Sequence, residues 1–164
     1  MTAPVVVFAV GNPSRGDDAI GPALFERLLV WLDRAELADG FELIEDFQLQ
    51  IEHALDLRGR ALALFIDAGE GTPAPFSFQR VLPSSGIAHT SHELPPEAVL
   101  QVYRQTEGDE PPPSFVLCIR GEGFELGEPL SDAAQQRVEQ AFTLLQDLCR
   151  DQRTEAWLAR VTPA

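Results

Sequence analysis

At 164 residues the chain has the length of one domain, and 45% hydrophobic residues give it a core of its own, which excludes full-length disorder. Its 26 acidic residues outnumber 12 basic ones, for a formal net charge of −14. A surface of that sign repels phosphate backbones and anionic headgroups, so neither nucleic acid nor membrane is an expected partner; cations and basic partners suit it.

The N-terminus runs directly into Val5-Val6-Val7-Phe8 without a basic segment, and the apolar stretch stops at Gly11-Asn12. That is too short for a signal peptide or a membrane span, so a cytoplasmic protein is expected. Val5 to Val10 reads as a strand buried on both faces. Gly11-Asn12-Pro13-Ser14-Arg15-Gly16 is turn chemistry, and Ile20, Leu24, Leu28, Trp31 and Leu32 recur at helical spacing, predicting a helix that starts near Asp17 or Asp18. Phe41 to Glu45 predicts a short second strand, and Leu49 to Leu57 a short helix ending at Gly59.

Ala61 to Ile66 is a second continuous apolar run, closed by Asp67 and the breakers Gly69, Gly71 and Pro73. Phe76 to Leu82 alternates like an edge strand. A polar loop, Pro83 to Glu93, leads to a helix opened by Pro95-Pro96, and the acidic, Pro-rich stretch Thr106 to Pro113 reads as a solvated connector. Phe115 to Ile119 predicts another strand, and Ser131 is a good N-cap for a long last helix. Alternating strands and helices predict an α/β sandwich on a mostly parallel sheet, in one domain spanning 1–164. Ligands of such sheets bind beyond the carboxyl ends of the strands. The loop after the first strand, Asp67, and Gly121-Glu122-Gly123 all fall there.

Asp17 and Asp18 suit either a helix start, where carboxylates favour the dipole, or a metal. The loop before them lacks GxGxxG and the P-loop Lys, so it does not cradle a phosphate. Asp67 ends an apolar strand, where a charge either caps the next loop or meets a cation. His92, and His89 three residues before it, lie in the polar loop; His53 reads as a helix-face residue. Two carboxylates and an imidazole at one sheet edge would make an O/O/N site with open positions, suited to a borderline divalent ion. Cys118 and Cys149 read as small core residues, and no GxSxG or HExxH motif is present.

Three stretches together resemble the endopeptidases that mature nickel-iron hydrogenases: Gly11 to Gly21, Leu64-Phe65-Ile66-Asp67-Ala68, and Ser91-His92-Glu93-Leu94. Their order and spacing match from Val5 to about Leu148. The resemblance implies a three-layer α/β/α sandwich with a five-stranded sheet of order 2-1-3-5-4 and strand 4 antiparallel. It implies a monomeric peptide hydrolase that removes a C-terminal extension from the hydrogenase large subunit precursor. The metal that the resemblance implies is nickel supplied by that precursor, or another divalent ion in the isolated protein. The family's metal ligands fall on Asp18 (a Glu in many members), Asp67 and His92, with Asp17 as a supporting neighbour and the candidate proton acceptor.

Many members carry Asp-Gly-Gly-Thr after the second strand. Here Asp46-Phe47-Gln48-Leu49-Gln50-Ile51-Glu52-His53 stands instead, which looks like the subgroup serving soluble, NAD-reducing hydrogenases. The rival readings are a non-proteolytic metal-binding assembly factor for the same precursor, and a self-contained metallopeptidase of other specificity.

Overall fold

A computed structural model describes residues 2–84 and 94–163. Its five strands are β1 (Val5–Val10), β2 (Phe41–Asp46), β3 (Leu62–Gly69), β4 (Phe76–Val81) and β5 (Ser114–Arg120). They lie in the order β2-β1-β3-β5-β4, parallel except for β4, which runs antiparallel to β5. Both the order and the odd strand agree with the expected topology. The apolar runs occupy the middle of the sheet, and β2 and β4 form its edges.

Alternation along the strands divides the core between two faces. Val5 and Val7 of β1, with Leu62, Leu64 and Ile66 of β3, pack with α1 (Ile20–Arg34) and α3 (Asp132–Arg150). Val6, Phe8 and Val10, with Ala63 and Phe65, pack with α2 (Pro96–Glu107) and a 3-10 helix at Ile51–Leu57. Helices therefore cover both faces of the sheet. At roughly 25 cal/mol per Å² of buried apolar surface, these two clusters supply the main force holding the layers together. Among the described residues no helix is long and apolar enough to cross a membrane.

Two details differ from the sequence-based expectation. The first helix does not begin at the acidic pair: a 3-10 turn at Gly16–Ala19 comes first, and α1 opens at Ile20. A short α4 (Thr154–Leu158) also follows α3. It buries Trp157 edge-on against Phe78 and Phe115, with ring centroids 6.4 and 5.4 Å away. The indole N–H donates to the carbonyls of Leu148 and Asp151, at 3.0 and 2.9 Å. Ser131 caps α3 as expected, its hydroxyl accepting from the Ala134 N–H at 3.2 Å.

Candidate functional site

The carboxyl edge of the sheet gathers the loop after β1, the end of β3 and the loop after β5. Backbone bonds stitch the first of these to the third. Gly16 N–H donates to the Glu128 carbonyl (3.0 Å), Asp17 N–H to Gly123 (2.7 Å), and Gly127 N–H to Ser14 (2.7 Å). The approach is close enough to require glycine. Gly16 has φ +55°, and a Cβ there would sit 2.5 Å from the Gly123 carbonyl oxygen. At Gly11, with φ +150°, a Cβ would fall 2.0 Å from the Asp18 carbonyl oxygen.

Asp17 lies inside this seam, only 1% exposed. Its carboxylate accepts the N–H of Glu122 at 2.6 Å, the N–H and hydroxyl of Ser131 at 2.8 Å each, and a longer contact from Gly123 at 3.4 Å. Burial pushes its pKa up, but the hydrogen bonds from Ser131, Glu122 and Gly123 outweigh burial and hold it below the usual carboxylate value. Neither Asp17 nor Asp18 makes a side-chain cap for the helix they precede. Asp17 instead ties the β1 loop to the β5 loop and, through Ser131, to the start of α3.

Asp18 faces the other way. It is half-buried, and its Oδ2 accepts the Asn12 N–H at 2.7 Å. Burial raises its pKa, with the Asn12 amide and the Arg15 charge pulling it back only in part. Asp67 stands at the end of β3, half-buried, with the Ala68 N–H on its Oδ1 at 2.8 Å. Because β1 and β3 are neighbours, the two carboxylates meet across their strand ends. They line one pocket of about 220 Å³, walled further by Arg15, Ala68, Glu70 and Phe124. Arg15, Glu70 and Phe124 also border an adjoining hollow of about 480 Å³ that includes Glu122, Glu125 and Leu126.

Two carboxylates in a partly dehydrated pocket supply the anionic oxygens that a divalent cation takes, so the chemistry of Asp18 and Asp67 fits such an ion. Among the described residues no three His, Cys, Asp or Glu side chains gather as a metal-holding group. His92, expected as the third ligand, lies outside the described residues, as do His89 and the Ser91-His92-Glu93 stretch.

His53 does not line the pocket. Its Nδ1 accepts the Gln50 N–H at 2.9 Å, its Nε2 lies 3.4 Å from Asp46 Oδ2, and its ring packs edge-on to Phe8 at 5.5 Å. Both nitrogens thus fasten the segment after β2, and the Gln50 side chain completes the reciprocal cap. Cys118, the register partner of Asp67 on β5, hydrogen-bonds Thr72 Oγ1 at 3.2 Å, and burial pushes its thiol pKa up. Cys149 is buried and pushed up to about 12. Neither thiol has the low pKa of a nucleophile. Sequence reasoning missed Arg15, Glu70 and Phe124 as pocket walls. The one available signal was that Arg15 sits inside the glycine-asparagine loop.

No protein-family profile and no curated protein matches the chain. Solved structures do. The NiFe hydrogenase maturation protease HycI from Thermococcus kodakarensis KOD1 is 23% identical with a TM-score of 0.64, covering 92% of this chain and 94% of that one. The hydrogenase maturating endopeptidase HybD from E. coli is 21% identical with a TM-score of 0.68, over 89% of this chain and 91% of that one. A hydrogenase 2 maturation peptidase from Thaumarchaeota archaeon SCGC_AB-539-E09 is 24% identical, with a TM-score of 0.59 and coverage of 86% and 94%. Over most of its length the chain has the fold of these hydrogenase maturation proteases.

Proposed function

We propose that the protein is a cytoplasmic endopeptidase that removes a C-terminal extension from the nickel-loaded large subunit precursor of a nickel-iron hydrogenase. The observation that carries this reading is the pairing of Asp18 and Asp67 in one small pocket at the carboxyl edge of a sheet with the maturation-protease topology. Two carboxylates leave a transition metal's coordination incomplete, so the pocket suits an ion that arrives with ligands of its own. Nickel held by the precursor meets that description, and His92 is the third donor offered from this chain.

The nickel here is part of the substrate and serves recognition. A precursor without it presents nothing for Asp18, Asp67 and His92 to bind, so cleavage reports on metal loading. Asp17 keeps Asp18 in place by locking the loop beneath it and is a positioning residue. A metal next to the scissile carbonyl polarises that bond toward attack by water.

The test is the mass of purified precursor after incubation with the protein, with and without nickel. Loss of a C-terminal peptide only from the loaded precursor is the expected result. A stable complex with precursor of unchanged mass would replace the protease with a docking factor for metal assembly.

A further inference from the structure

The pocket contains a cation that the recognition of nickel does not use. Arg15, Arg34 and Arg80 are the arginines that make no ion pair among the described residues; every other arginine meets a carboxylate. Arg34 is the last residue of α1, which runs away from the site edge, and Arg80 pairs with Phe115 near the start of β5. Both therefore belong to the opposite edge of the sheet. Arg15 is the one unpaired arginine beside Asp18 and Asp67, and it borders both hollows.

The loop fixes where its side chain starts. The Arg15 N–H donates to the Asn12 carbonyl and its own carbonyl accepts from Asp18 N–H, both at 3.1 Å. Its neighbours Ser14 and Gly16 are bonded to Gly127 and Glu128. A guanidinium is charged at any working pH and offers two parallel N–H groups to an anionic oxygen or carboxylate. Peptide hydrolysis produces such a group inside a pocket whose carboxylate side chains repel it. Water's oxygen adds to the carbonyl carbon, and the π pair moves onto the acyl oxygen. Collapse breaks the C–N bond, the two water protons end on the leaving amine as an ammonium, and the acyl side remains as a carboxylate. Asp18, Asp67 and Glu70 oppose both negative species; among the described residues that line the pocket, Arg15 is the side chain with the sign that stabilises them.

We infer that Arg15 binds the acyl oxygen of the scissile peptide, first as the oxyanion and then as the new C-terminal carboxylate, a role that rests on the endopeptidase reading above. It is a catalytic residue in the sense that it touches the reacting atoms. The carboxylate does not exist in the precursor, so Arg15 favours transition state and product over substrate.

Wild type and Arg15→Gln are compared on nickel-loaded precursor, with processed subunit added as inhibitor. Arg15 is exposed, and matched melting curves establish that the variant folds. The expected result is a fall in kcat of about 100-fold, the range for losing one oxyanion donor. KM should change less than about two-fold, while the inhibition constant of processed subunit rises about ten-fold or more, since only the product carries the carboxylate. Arg15→Lys keeps the charge but not the fork and should fall between. Unchanged kcat in Arg15→Gln, or KM and the inhibition constant rising together, would overturn the role while leaving the protease reading intact. A wild-type protein that leaves the loaded precursor uncut would remove both.

Discussion

Asp17→Asn tests whether the seam between the β1 and β5 loops holds the site. The substitution keeps the size of the side chain and one acceptor oxygen but removes the charge. At Asp17 the two carboxylate oxygens face donors on both sides: the Ser131 N–H on Oδ1, and the Glu122 N–H with the Ser131 hydroxyl on Oδ2. An asparagine must turn its NH2 group toward one of these backbone N–H groups. Either orientation leaves a buried amide without its acceptor. A hydrogen bond to a charged acceptor is worth about 1.5–3 kcal/mol, and an unsatisfied buried donor costs about 1–3 kcal/mol, the two not adding in full. The expected loss is about 3 kcal/mol of folding stability, or roughly 6–12 °C in Tm for a domain of this size. Urea or thermal unfolding at pH 7 measures it. The pH arm has a definite sign. The folded pKa of Asp17 lies below its ordinary value, so its contribution is present above about pH 4 and is lost as pH falls through the folded pKa. The gap between wild type and Asp17→Asn should therefore close on acidification below about pH 4. An Asn variant as stable as wild type at pH 7, or a gap that widens in acid, would refute the reasoning.

Asp67→Ala should leave the domain folded, since a half-buried carboxylate at a strand end adds little to the apolar core, while processing of nickel-loaded precursor is lost. Equal loss of Tm and activity would make Asp67 a structural cap. Asp18→Glu, which keeps the anionic oxygens, should process precursor better than Asp18→Asn, measured as initial rates on the same precursor; equal rates would remove Asp18 as a ligand. Nickel affinity of the isolated protein, followed by calorimetry, should weaken as pH falls through about 6.5, because a ligating imidazole must be neutral. His92→Gln should bind weakly with a flat profile, whereas His53→Gln should follow wild type.

The sheet was legible because its central strands are apolar on both faces. Val5–Val10 and Leu62–Ile66 are uninterrupted apolar runs, short and with β-branched and aromatic residues, which favours a strand covered on both faces over a buried helix. Edge strand β4 was legible from the alternation at its start, where Phe76 and Phe78 share the face of one core cluster, although Val81 is buried on the other face. Trp157 was not, since a five-residue helix with one large apolar side chain has no period to detect. Asp18 and Asp67 could each be marked as strand-end or loop carboxylates from their neighbours alone. Their meeting depends on β1 lying beside β3, a pairing that arises from the packing of the whole sheet.

Asp17 shows where local reading stops. Beside a helix start, a carboxylate is expected to serve the nearest N–H groups, a contribution of about 1 kcal/mol. In the folded chain those groups lose to donors more than a hundred residues later, at Glu122 and Ser131. The reason is burial: once the β5 loop closes over it, the charge must be satisfied from every side, and the first turn of its own helix cannot surround it. The first turn adopts 3-10 geometry, and α1 begins beyond it at Ile20. Adjacent aspartates of identical type are thereby given opposite surroundings. The carboxylate that is locked inside has both oxygens engaged by the protein's own donors, and its neighbour lines the pocket.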